Sequence, residues 1–167
     1  NCGKIALTSL PSGLTSIGMN AFANCGKIAL TSLPEGVTSI GDSTFRGAKT
    51  NNWEHDALIH LTTIGDKGVF LKNAFQNRWT TLGDGITYIG SNALYWAALD
   101  RIKILATTPP QLKDAYTVGN NTFINDNYQH IQVYVPDEAL DAYKAAENWS
   151  GFATNWNNIH PMSEWKD

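Results

Sequence analysis

The segment Asn1-Cys2-Gly3-Lys4-Ile5-Ala6-Leu7-Thr8-Ser9-Leu10-Pro11 returns almost unchanged as Asn24-Cys25-Gly26-Lys27-Ile28-Ala29-Leu30-Thr31-Ser32-Leu33-Pro34, a shift of 23 residues. A repeat of this length cannot bury its own apolar face, so successive copies must stack and share one elongated core. Weaker copies keep the same columns. Ile17-Gly18, Ile40-Gly41, Ile64-Gly65 and Ile89-Gly90 are spaced by 23, 24 and 25 residues, each with Thr two places before the Ile: Thr15, Thr38, Thr62 and Thr87.

Each Ile is followed by a large apolar residue, Phe22, Phe45, Phe70 or Leu94, and preceded at three places by Leu14, Val37, Leu61 or Ile86. These columns predict two stacked ladders in the core, Ile17, Ile40, Ile64 and Ile89 in one and Phe22, Phe45, Phe70 and Leu94 in the other. Leu10, Leu33 and Leu82 form a further column, with Leu105 and Leu112 carrying the leucine and isoleucine columns into a fifth, altered turn. The glycine column is expected to mark a tight turn with positive φ. Residues 48–63 and 71–79 depart from the pattern, with Trp53 and Trp79 in place of leucine spacing. Trp79 aligns with Leu7 and Leu30 and reads as core.

A unit of this length has room for a short strand, a turn and a brief return. The predicted fold is a leucine-rich-repeat-type solenoid: short parallel strands, one per turn of about 23–25 residues, with irregular or short helical returns. Two prolines, Pro109 and Pro110, close the repetitive part. Residues 113–122 read as a polar insertion, and His130 to Val135 alternates as a half-buried strand. Asp137 reads as the N-cap of a helix from Glu138 to Glu147, whose face of Ala139, Leu140, Tyr143 and Ala146 covers the end of the core. The expected division is a solenoid of about five turns over 1–135 and a cap helix and tail over 136–167. Residues 1–23 resemble an internal repeat, which predicts an open N-terminal end.

These columns, together with Ala106-Thr107-Thr108-Pro109-Pro110, Val133-Tyr134-Val135-Pro136-Asp137 and Asp141-Ala142-Tyr143-Lys144-Ala145-Ala146 near the end, resemble the BspA-like leucine-rich repeat. The resemblance implies a surface-exposed or secreted protein of a host-associated bacterium or a protist, in a family linked with adhesion to host proteins or other cells. It implies neither a reaction nor a defined ligand, and it supplies no contact residues to carry over.

Composition narrows the function classes. The net charge is −3, and the 12 Lys and Arg residues are scattered, so the basic stripe that nucleic-acid binding needs is missing. Apolar runs fall short of the roughly 18 residues of a membrane span. Glu35, Asp42, Asp66 and Asp84 recur near turns, but a catalytic carboxylate pair needs a pocket that raises one pKa, and an exposed solenoid flank offers none. Trp53-Glu54-His55-Asp56 with His60 is the nearest approach to a metal site. Its two histidines are five apart rather than the four that share a helix face, so a solvated loop is expected. The sequence predicts no enzyme, no cofactor and no metal.

Cys2 and Cys25 share a column, close enough across stacked coils for a disulfide. The same column carries Ala48, Ala74 and Ala97, which favours a small buried free thiol. Of six Trp residues, Trp53, Trp96, Trp156 and Trp165 are the less constrained. The candidate partner-binding residues are Trp53, His55, Trp96 and Trp156. The expected function is a non-catalytic adhesion module binding a host or cell-surface protein through its ladder flank, with a glycan-binding module or a structural stalk as alternatives.

Overall fold

The computed structural model describes residues 6–26, 28–48, 53–67, 69, 75, 78–95, 97–113, 130–150 and 157–167. The chain coils into a parallel β-solenoid of leucine-rich-repeat type. Its first sheet stacks β1 (Ser16–Ile17), β2 (Ser39–Ile40), β3 (Thr63–Ile64), β5 (Tyr88–Ile89) and β7 (Gln111–Leu112) in the order β1-β2-β3-β5-β7. A second sheet has the order β4-β6-β8-β9, built from β4 (Trp79–Leu82), β6 (Arg101–Ile104), β8 (Gln132–Val135) and β9 (Ile159–Pro161). All pairings in both are parallel.

The isoleucine column is the spine of the first sheet. Ile17 pairs with Ile40, Ile40 with Ile64, Ile64 with Ile89 and Ile89 with Leu112, and every one of these side chains is buried. The preceding residue of each strand faces outward, because side chains alternate across a pleated backbone. Phe22 stacks on Phe45 at 5.2 Å, Phe45 and Leu94 are buried, and Phe70 lies outside the described residues. The threonine column is a hydrogen-bond ladder. Thr62 Oγ1 donates to Thr38 O at 3.1 Å, and Thr87 Oγ1 donates to Thr62 O at 3.0 Å.

The glycine column has a different cause from the expected positive φ. Among the described glycines only Gly47 has positive φ. What the column requires is room: a Cβ at Gly41 would lie 2.6 Å from Met19 N, at Gly65 2.6 Å from Asp42 N, and at Gly90 2.5 Å from Gly65 C. Each coil therefore passes so close to its predecessor that no side chain fits between the two backbones.

The leucine column also differs from expectation. Leu58 forms a parallel bridge to Leu82, and Leu82 pairs with Ile104, so Leu58 supplies the third turn and Ile104 the next. Leu105 is one place out of register and is 36% exposed, since a shift of one residue sends a strand side chain to the opposite face. The two irregular tryptophans exchange their expected roles. Trp53 is fully buried, edge-on to Phe45 at 5.3 Å, whereas Trp79 is half-exposed on the outer side of β4.

Cys25 is disulfide-bonded, not the free thiol that the alanines of its column favoured. The chain has one other cysteine, Cys2, outside the described residues.

The C-terminal closure is more compact than a single long helix. A 3-10 turn at Asp137–Ala139 leads into α1 (Leu140–Ala145), and Asp137 makes no capping bond within it. Tyr143 and Trp149 are buried against each other, and both reach back to the last repeat. Tyr143 Oη donates to Ala106 O at 2.9 Å, and Trp149 Nε1 donates to Pro110 O at 2.8 Å. Burial raises the Tyr143 phenol pKa, because phenolate would be desolvated there. Unforeseen from sequence, the tail returns as β9 and adds a strand beside β8.

Two pairs of variants test this account of the core. Gly65→Ala should lose about 1–3 kcal/mol by overpacking, while Gly13→Ala, with nothing within 4 Å of the added Cβ, should change stability far less. Ile64→Ala should lose about 2–5 kcal/mol, against about 0.5 or less for the 68% exposed Met19→Ala. Urea denaturation measures all four, and equal losses within either pair would contradict the assigned packing.

Candidate functional site

The outer face of the second sheet is where chemistry-bearing side chains converge. Arg101-Ile102-Lys103-Ile104 and Gln132-Val133-Tyr134-Val135 alternate strictly, so their isoleucines and valines enter the core and the other four side chains point out. Parallel register then builds two rows. Trp79 lies beside Arg101 and Arg101 beside Gln132; Thr81 lies beside Lys103, Lys103 beside Tyr134 and Tyr134 beside His160.

His55 adds to one edge. Its ring lies 3.6 Å from that of Trp79 with 5° between the planes, and its Nδ1 is 3.1 Å from Trp79 O. Because a carbonyl only accepts, that nitrogen carries the proton. Thr80, on the inner side of β4, donates from Oγ1 to His55 O at 2.8 Å and fixes the preceding coil against the strand.

The tail lies across the middle of the face. Trp165 meets Trp79 edge-to-face at 5.0 Å and Tyr134 at 4.9 Å. Arg101 Cζ and Lys103 Nζ sit over its ring at 4.4 and 4.2 Å, and Lys103 Nζ is also 4.8 Å from the Trp79 centroid. Each such contact is a cation–π attraction between positive charge and the negative face of the ring. His160 Nε2 is 2.6 Å from Gln132 Oε1, and its Nδ1 is 3.4 Å from Glu164. Beside the face, Arg78 and Asp100 form a bidentate pair at 2.7 and 2.9 Å.

The sequence candidates distribute unevenly over this geometry. His55 belongs to the face. Trp53 does not, because it is fully buried in the core. Trp96 and Trp156 lie outside the described residues. Trp79 reads as core from sequence, Trp165 as one of the less constrained tryptophans but not as a partner-binding candidate, and Arg101, Lys103 and Tyr134 carry no functional expectation; the alternation of 101–104 and 132–135 contains the signal, but only the pairing register brings Trp79 beside Arg101.

The turn carboxylates join coils. Asp42 Oδ1 accepts from Asp66 N at 2.9 Å, Asp66 Oδ1 accepts from Ser91 N at 3.0 Å, and Asp66 also pairs with Lys113. Among the described residues no group of three or more His, Cys, Asp or Glu is placed to hold a metal ion, and no helix is long and apolar enough to cross a membrane. Asn148, in the sequon Asn148-Trp149-Ser150, donates its amide to Leu112 O at 3.0 Å.

Asp137 tethers the tail. Its Oδ1 accepts from Ser163 N at 2.9 Å, and hydrogen bonds from Ser163 hold its carboxyl below the ordinary carboxylate value. A carboxylate with a depressed folded pKa stabilises the fold above its unfolded pKa, and that contribution is lost as pH falls through the folded value. Near-ultraviolet circular dichroism of the tryptophans should therefore change on acidification below about pH 4, and Asp137→Asn should flatten that part of the profile. An unchanged profile in the variant would contradict the tether.

A family model described as the BspA type leucine rich repeat region matches residues 1–129 in six copies. No curated protein matches the chain.

Proposed function

This chain belongs to the BspA-type leucine-rich repeat family, and from that premise we propose that it is a non-catalytic recognition module of a cell-surface or secreted bacterial protein, binding a protein partner through the flank of its solenoid. The observation that carries this reading is the outer face of the second sheet, where Trp79, Tyr134 and Trp165 gather around Arg101 and Lys103. Tryptophan, tyrosine and arginine are the residues that most often dominate protein–protein binding energy. In this reading residues 1–135 form the solenoid, and residues 136–167 form a closing unit that also supplies His160 and Trp165 to the face. His55 borders the contact surface, and Trp96 and Trp156 enter the proposal on sequence grounds alone. The disulfide at Cys25 fits the oxidising surroundings of a surface or secreted protein.

Two rival readings make different demands. A glycan platform needs open indole faces, whereas His55 stacks on Trp79 and Trp165 is flanked by two cations. A stalk needs no such cluster on its flank. Surface plasmon resonance over immobilised extracellular-matrix proteins should detect binding, and Trp79→Ala should weaken it roughly tenfold or more, as expected for a hot-spot residue. Quenching of tryptophan fluorescence by sugars without protein binding would favour the glycan module. Binding to neither would leave the stalk.

A further inference from the structure

The tail supplies this face with an aromatic ring but leaves its cations without an anion. Among the described residues neither Arg101 nor Lys103 has a carboxylate partner. The two acids flanking Trp165 are turned elsewhere: Glu164 pairs with His160, and Asp167 Oδ1 accepts from the Trp165 indole N–H at 2.9 Å. Among the described residues, direct polar bonds from the face to the tail's last residues are few; Arg101 Nη1 donates to Lys166 O, and Ser163 N donates to Asp137 Oδ1. Ser163, Lys166 and Asp137 are all exposed. The seat is thus well made for a ring, incompletely used for charge, and closed by a segment with exposed tethers.

We propose that this face docks a segment of a protein partner that carries an aromatic residue next to carboxylates, and that Trp165 occupies the aromatic seat in the unbound protein. The proposal rests on the protein-recognition reading above and adds the chemistry of the partner. An incoming aromatic ring inherits the perpendicular ring contacts with Trp79 and Tyr134 and both cations. Its neighbouring carboxylates then add charge-assisted hydrogen bonds to the Lys103 ammonium and the Arg101 guanidinium, which the tail does not make. Displacing the tail lowers the apparent affinity by the fraction of molecules with the seat open. Loosening the tail therefore strengthens binding, the opposite of what loss of a merely structural residue does.

The test uses a fluorescein-labelled Asp-Glu-Trp-Glu-Asp peptide and fluorescence anisotropy on the whole chain. Trp165→Ala should bind it at least about tenfold more tightly than the unmodified protein, and Asp137→Asn should shift affinity in the same direction should Trp165→Ala fold poorly. Lys103→Gln or Arg101→Gln, each combined with Trp165→Ala, should weaken binding about tenfold. A peptide with Ala for Trp should bind poorly, as should one with Asn and Gln for the acids. Equal or weaker binding by both tail variants overturns the proposal. So does equal binding of the Trp-free peptide or of a heparin oligosaccharide, either of which assigns the face to polyanions in general. Matrix-protein binding that persists without peptide binding removes this proposal and leaves the recognition reading standing; peptide binding without any matrix-protein binding supports both and removes only matrix proteins as the partner class.

Discussion

The close approach of each coil to the one before it is the constraint on which the rest of this molecule depends. Stacked parallel strands must lie about 4.8 Å apart to exchange backbone hydrogen bonds, and at Gly41, Gly65 and Gly90 the two backbones come together with no space for a Cβ. That contact sets the register, and the register sets everything lateral to it. It lets Ile17, Ile40, Ile64, Ile89 and Leu112 stack without a gap, and it brings the Thr62 and Thr87 hydroxyls to the carbonyl of the threonine one turn earlier. The buried Thr44 hydroxyl belongs to the same device, donating to Gly41 O at 2.7 Å with Gly18 O in reach at 3.1 Å.

Once register is fixed, length variation between turns is absorbed away from the isoleucine spine. The third turn takes Leu58 into the leucine column and buries Trp53. Filling that space with a large ring keeps the interior at the dense packing that protein cores require. Among the described residues the second sheet begins at Trp79, with strands of four residues in β4, β6 and β8 and three in β9, instead of two. The four-residue strands present two outward positions each, which is why the chemically varied face forms there and not along the first sheet. The outward residues of the first sheet, Ser16, Ser39, Thr63, Tyr88 and Gln111, come one to a strand and are mostly small and polar.

The C-terminal segment joins the architecture to the candidate face. Tyr143 and Trp149 lock it onto the last repeat through carbonyls near the prolines, so the polypeptide after α1 can return as β9 and extend the second sheet. The same return delivers Trp165 to Arg101 and Lys103. A cap that ended at the helix would cover the core but leave the face without its central ring.

The repeat period, the isoleucine spine, the parallel solenoid and the burial of Tyr143 were legible in the sequence because each rests on a local pattern that recurs or on a helix face. Three matters were not. The reason for the glycine column lies in the distance between coils, which no single turn records. The places of Leu105, Trp53 and Trp79 depend on a one-residue choice of register, and in an irregular turn local spacing supports either choice while packing permits one. The candidate face joins residues from positions 55, 79, 101, 103, 134, 160 and 165, most of them unremarkable alone. Sequence determined that coils would stack; only the tertiary structure decided which side chains meet across them, because lateral neighbours in a solenoid are set by pairing register and by where the tail folds back.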